Sequence, residues 1–432
     1  MMLRKKLGLS LLLALVLVVS AAVAVGAYEP RPGVLSPDEV DFGGKTVTVI
    51  VRDLDWVVHN GGKPTEERIA EAEALFNVKI ETGTFNNIEE LQSRIMANDS
   101  AYDIFRFNHR SGYFQLLAAG MLLPMSEYLP DEYFEALPAS DRYTIEKLSH
   151  GGEYYGFGVV YGLFNGSMMI LRYPLELIEE AGLEDPYQLW LEDRWDYQVF
   201  EEYLIALTQD TDGDGVNDQF GMFDVGNAIA AYRFMPFNGA EVAKKDENGK
   251  WVYSLGDSDA INALNLITRW KELGVMGSGG DEKTGFQSSH LAGMRHAIAK
   301  GIPLGYVPFP KGPDVDRYQF PVFDFTTNML PVNSAYPEGM IALVDFLFRY
   351  EDTEEYLDFY VNSYMQSREQ LDVYMAGAEG WRGEGDMFQS SGLWDITNPA
   401  VTPIVNLEKG AAAGVDEVRP EAQAWLDDFF RQ

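Results

Sequence analysis

Two rhythms of apolar and polar positions run through the first hundred residues. The β-branched run KTVTVIVRD (45–53) predicts a strand. PTEERIAEAEALF (64–76) places Ile69, Ala72 and Phe76 at helical spacing, with Pro64 suited to a first turn, and predicts a helix. VKIETGTF then reads as a strand, IEELQSRIMAN as a helix with Ile88, Leu91 and Ile95 on one face, and YDIFRFN as a third strand. Strand, helix, strand, helix, strand predicts a parallel sheet with crossover helices, in which ligands gather at the carboxyl ends of strands. Here those ends are RDLDW and RFNHR.

A Gly- and Tyr-rich stretch, GGEYYGFGVVYG, separates this block from a helix-rich one. The helix PLELIEEA stops at Gly182, suited to a left-handed cap, and DYQVFEEYLIALTQ and DAINALNLITRWKEL follow as amphipathic helices. Extended sequence returns at PLGYVPFPKGP and FDFTTNMLPVN, and helices resume at GMIALVDFLFRY and TEEYLDFYVNSYM. The pattern predicts two α/β lobes with the chain crossing between them more than once.

The opening segment puts Arg4, Lys5 and Lys6 before an apolar run ending in small residues, the layout of a secretory signal peptide cut after Ala27, with Ala24 as the alternative. Left uncut, it is nearly long enough to anchor the chain, since spanning takes about 20 residues. The 432 residues less these 27 leave 405, long for one core, and residues 28–42, rich in proline, read as a linker. The chain has no cysteine, which excludes a disulfide framework and a lipid-bearing cysteine at the cut. Its formal charge of −34 argues against nucleic acid or anionic lipid as a partner.

One loop carries metal chemistry. In TQDTDGDGVNDQFG (208–221), Asp210, Asp212 and Asp214 alternate, Gly215 permits a sharp turn, Val216 offers a carbonyl and Asp218 takes the ninth position. Calcium takes six to eight oxygens, and this spacing gathers several of them on one centre. The twelfth position is Gly221 instead of glutamate, so another group or water must complete the shell. The alternative is a solvated acidic turn. With no nucleophile or base beside it, the ion would be structural, bracing the second lobe.

LRYPLELIEEAGLEDPYQLWLEDRWDYQVFEEYLIALTQDTDGDGVNDQFGM and YVPFPKGPDVDRY resemble segments of the family 1 extracellular solute-binding proteins of ABC importers. The order of YDIF, GMLLPMSEYL and GEYYGFGVVYG agrees with that resemblance across essentially the whole mature chain. It implies a type II-like two-lobe periplasmic-binding-protein fold of class α/β, with hinge strands crossing between lobes. Lobe one would take residues 43–158 and 303–350, and lobe two 159–302 and 351–432. It further implies capture of a carbohydrate, an oligosaccharide, for ABC permease subunits by a monomer in the periplasm or outside the cell. Three departures stand out: no lipobox cysteine, GMRHAIAKGIP where the family has an aromatic-bearing turn, and LRYP where it often has YYNK.

Aromatic side chains match the apolar faces of sugar rings, and they form 13% of the chain. Trp56 at the end of the first strand is the leading stacking candidate, with Tyr161 beside the crossover and then Trp381, Trp394 and Tyr306. For any single aromatic core burial is the better bet, since these residues dominate packing, and Trp190, Trp195 and Trp270 are assigned to it. Asp53 and Asp55 could accept from sugar hydroxyls, while Asn108, His109 and Arg110 could donate or accept; as a cluster, Arg106, His109 and Arg110 would suit an acidic sugar.

P-loop, GxSxG and HExxH motifs are absent, and the five histidines lack ligand spacing. The reading is therefore a binding protein. A secreted carbohydrate-active enzyme is the alternative, since 67 acids supply carboxylate pairs without singling one out.

Overall fold

The computed structural model describes residues 28–430 except 52–65, 99–102, 161–166, 225, 291–299, 323, 350–361, 363–364, 379–386 and 389–390. The expected leader at 1–27 and the expected helix over 353–365 fall outside the described residues, apart from the end of the latter.

The first sheet runs in the order β11-β3-β1-β2: β1 is Lys45–Val51, β2 Val78–Gly83, β3 Ile104–Asn108 and β11 Thr326–Met329. β1 pairs in parallel with β2 and β3, as the alternation of strands and helices predicted, and β11 returns antiparallel on β3. Both faces are covered. Val47, Val49 and Val51 enter one hydrophobic cluster, and Ile50 with Phe105 and Phe107 enters another. The helix Ile88–Met96 begins where the Asn87 side chain accepts from the Glu90 N–H at 2.9 Å, and it buries Leu91 and Ile95.

The second sheet runs β10-β4-β9-β5-β8, with β4 at Met169–Pro174, β5 at Phe220–Phe223, β8 at Met276–Gly277, β9 at Thr284–His290 and β10 at Leu304–Val307. A hairpin of β6 (Ala243–Lys245) and β7 (Trp251–Tyr253) lies beside it. Around this sheet pack Tyr197–Leu207, capped by Asp196, and Ser258–Glu272; Gly392–Val405 and Ala411–Phe429 close the chain. Gly182 has φ +66° and ends the helix Leu175–Glu180, as its place in the sequence predicted. Trp195 and Trp270 are fully buried in this lobe's core.

Two boundaries differ from expectation. Residues 28–42 are built into lobe one: the Tyr28 hydroxyl donates to Asp345 at 2.7 Å, Arg31 and Arg349 pair with the same carboxylate, and Val40 and Phe42 are buried. Their proline-rich composition concealed apolar and charged anchors whose partners lie some three hundred residues away. Strand β10, expected in lobe one, pairs antiparallel with β4 in lobe two, so the chain returns only between Val322 and β11. The outgoing and returning segments run side by side: Met168 bridges Val322, and the Met169 N–H donates to the Pro321 carbonyl at 2.8 Å.

Candidate functional site

β3 ends at the junction between the lobes, and its basic side chains, expected to face a ligand, turn into the protein. Arg106 is 0% exposed. Its guanidinium donates to the Val159 carbonyl at 3.2 Å and to Asn328 Oδ1 at 2.8 Å, and its carbon lies 3.8 Å from the centre of the Phe348 ring. Asn328 in turn donates to the Phe157 carbonyl at 2.9 Å. One buried cation therefore ties the outgoing crossing, β11 and the end of the helix Pro337–Leu347 to β3. A guanidinium is tolerated at that depth only with partners of this kind.

The returning crossing is held by the next two basic residues. The His109 N–H donates to the Phe325 carbonyl at 2.8 Å, and Nδ1 of its ring accepts from the Phe325 N–H at 3.2 Å. Arg110 pairs with the buried Asp324, whose carbonyl accepts from the Ser167 hydroxyl at 3.1 Å. Arg106, His109 and Arg110, expected as a cluster to suit an acidic sugar, are thus engaged in bracing the junction, with the His109 ring neutral as Nδ1 accepts. Asn108, 5% exposed, remains at the strand's carboxyl end and accepts from the Ser111 hydroxyl at 3.1 Å.

The aromatic candidates separate. Trp394 lies in the first turn of Gly392–Val405, half-buried, its ring 4.5 Å from that of Tyr232. The Tyr232 hydroxyl reaches Thr397 at 3.0 Å. Tyr306 is 1% exposed, burial raises the pKa of its phenol, and it lines a cavity of about 540 Å³ with Tyr173, Tyr187, Asp185 and Glu369. That cavity opens at the Pro174 end of β4, while the crossings meet the Met169 end, roughly 15 Å away at strand rise. Tyr306 therefore stands apart from the β3 site. Asp53, Asp55, Trp56, Tyr161 and Trp381 lie outside the described residues. Asp324, Asn328 and Phe348 escaped sequence reasoning because nothing local in FDFTTNML or DFLFRY marks a partner for β3.

In the aspartate loop, carboxylate oxygens of Asp210, Asp212 and Asp214 come within 4.8 Å of one another on the surface. Asp210 accepts from the N–H groups of Gly213 at 2.7 Å, Asp214 at 3.2 Å and Gly215 at 2.7 Å, and these bonds, led by Gly215, hold its carboxyl below the usual range. Gly215 has φ +91°, as the turn position required. Val216 is exposed. Asp218 is drawn elsewhere: its carboxylate pairs with Lys283 at 2.5 Å and accepts from the Thr211 N–H and hydroxyl. Lys283, chief among these partners, keeps that carboxyl well below the usual range. Three of the four aspartates thus converge as a cation site would need, and the fourth is committed to a lysine.

No family model matches this chain, and no curated protein does. Solved structures do. A cyclic alpha-maltosyl-1,6-maltose binding protein from Arthrobacter globiformis aligns with TM-score 0.64 at 13% identity, over 89% of this chain and 99% of that one. A cyclo/maltodextrin-binding protein complexed with maltotetraose aligns with TM-score 0.62 at 16% identity, over 92% and 98%. The ABC substrate-binding protein Lmo0181 from Listeria monocytogenes, in complex with cycloalternan, aligns with TM-score 0.58 at 14% identity, over 88% and 98%. The chain has the two-lobe α/β fold of these ABC sugar-binding proteins. No helix of the described residues is long and apolar enough to cross a membrane.

Proposed function

We propose that this protein is exported, captures a carbohydrate, an oligosaccharide, between its lobes, and delivers it intact to the permease subunits of an ABC importer. The carrying observation is the junction itself. Two separate sheets are joined by adjacent crossing segments braced by Arg106, His109 and Arg110, a construction suited to hinge closure over a ligand. The likeness to binding proteins solved in complex with maltotetraose and cycloalternan supports a saccharide as that ligand. Trp394, half-buried and packed on the buried Tyr232, is the described stacking candidate that keeps part of its ring exposed in lobe two. Export rests on the leader, and the absence of cysteine excludes a lipid-bearing cysteine at its cut.

Thermal shift and calorimetry against a panel of mono- and oligosaccharides test this reading. Saturable binding with the sugar recovered unchanged supports it; cleavage products would replace it with a carbohydrate-active enzyme, and no binding to any member would reject it.

We further propose a structural calcium ion on Asp210, Asp212 and Asp214, with the Val216 carbonyl or water completing the shell, bracing the start of β5. The three carboxylates suit a hard cation, and the bond of Asp218 to Lys283 leaves that residue out of the primary ligands. The ion would screen repulsion among exposed carboxylates and take no part in sugar binding.

A further inference from the structure

Away from the lobe junction, at the Pro174 end of β4, the cavity of about 540 Å³ lies between β10 and the helices Pro186–Leu191 and Arg368–Ala378. Two glutamine side chains fix its β10 wall. Gln366 accepts from the Leu304 N–H at 3.2 Å and donates to the Ile302 carbonyl at 3.1 Å. Gln370 donates to the Leu304 carbonyl at 2.7 Å and accepts from the Gln366 N–H at 2.6 Å. The outer edge of this edge strand is thereby closed, and both amides are spent on it. Gly305 leaves no room for a Cβ under the Tyr173 ring, so the ring seats directly on the strand. The Tyr173 hydroxyl donates to Asp185 Oδ1, which also accepts from the Tyr187 N–H at 3.0 Å. Asp185 lines the cavity, and its Oδ2 has no hydrogen-bond partner among the described residues. Glu369, exposed, lines it as well, while no lysine or arginine does among the described residues.

We propose that this cavity is a second ligand site, separate from the lobe junction, and that it takes a small organic diamine. Carboxylates with no cation among them favour ammonium groups and repel a carboxylate or phosphate. Leu175, Pro303 and Leu304 offer apolar surface to the methylene chain between those groups. With Gln366 and Gln370 committed to β10, a sugar would find acceptors for its hydroxyl hydrogens and few donors for its oxygens. A wall fixed in advance loses little freedom when a ligand arrives. The volume falls within the range of small-molecule sites, about 300 to 1,000 Å³. Saccharide capture at the junction neither requires this site nor is required by it.

Calorimetric titration of the full mature chain with cadaverine tests the site, in chelator and at about 0.15 M salt, where the Debye length of about 8 Å screens the acidic surface. Saturable binding at one site is expected, and the uncharged diol of the same length should bind at least about tenfold more weakly. Asp185→Asn keeps a cap for the helix and an acceptor for Tyr173. It should weaken cadaverine about tenfold or more, the loss of one charge-assisted hydrogen bond. Gln188→Arg, at an exposed position lining the cavity, offers Asp185 a cation from the chain itself and should abolish binding; it keeps the test alive if Asp185→Asn fails to fold. Asp212→Asn, in the aspartate loop, should leave cadaverine binding unchanged. No saturable binding, a diol that binds as well as the diamine, or equal losses in Asp185→Asn and Asp212→Asn would overturn the site. Where maltotetraose binds the parent, Asp185→Asn should bind it equally; loss of both ligands together would show one shared site and overturn the proposal. Cadaverine binding by a parent that takes no saccharide would sink the carbohydrate reading alone and leave this site standing.

Discussion

The end of β3 and the aspartate loop are both dense clusters of charge in RFNHR and DTDGDGVND, yet the fold uses them in opposite ways. At β3 the cations are drawn inward. Arg106 is wholly buried, and Arg110 pairs with Asp324, whose side chain is 1% exposed. The aspartates stay in water, tied chiefly to backbone N–H groups of their own loop. The contrast teaches that a charged cluster declares its role through the partners that burial forces on it, since a desolvated ion without them is costly and an exposed one is not.

That contrast predicts a graded series. Asp324→Ala strands Arg110 at the junction and should cost about 3 to 5 kcal/mol in denaturant unfolding, the usual effect of breaking a buried pair. A loss under about 1 kcal/mol would mean that the pair behaves as an exposed one. Arg106→Met leaves the Val159 carbonyl and Asn328 Oδ1 without this donor and should cost about 3 kcal/mol, at roughly 1 to 3 for each buried acceptor. Were Arg106 a ligand contact instead, the variant would lose binding with stability unchanged.

The loop should respond to metal before it responds to mutation. Calcium at 100 times its dissociation constant would add about 2.7 kcal/mol. Chelation should therefore lower the melting temperature while sugar affinity stays constant; loss of affinity with unchanged melting would move the ion into the cleft. In chelator, Asp212→Asn should stay within about 0.5 kcal/mol of the parent, as an exposed substitution does.

The smallest effect concerns acid. Asp210 and Asp218 have carboxyl pKa values lowered by backbone N–H groups and by Lys283 respectively. A depressed folded pKa contributes stability that is present above the unfolded value of about 3.9 and lost as pH falls through the folded one. The loop's contribution should thus be flat from pH 5 to 8 and fade only in stronger acid. Lys283→Ala should raise the Asp218 titration point in a carboxyl NMR series; an unmoved titration would show that Lys283 does not hold it.

Much of the fold was legible in the chain. The β-branched run at 45–51, the helical spacing of Leu91 and Ile95, and Gly182 at a helix end each encode their structure within a few residues, because strand, helix and cap are local preferences of backbone and side chain. The convergence of Asp210, Asp212 and Asp214 was equally local, since five residues of spacing and one glycine suffice to fold it. The burial of Tyr306 agrees with the core role weighed for each aromatic, whereas Arg106 was not legible as buried, and the anchoring of Tyr28 on Asp345 was hidden as well.

What the sequence determined by itself was the alternation of elements, the two-lobe organisation and a loop suited to a cation. Tertiary structure alone decided that β10 belongs to lobe two, that RFNHR braces the junction, and that Phe114 meets Phe388 across the lobes. The reason is range. Asn328 lies more than two hundred residues from Arg106, and Phe388 as far from Phe114, and only the folded packing brings them within contact distance.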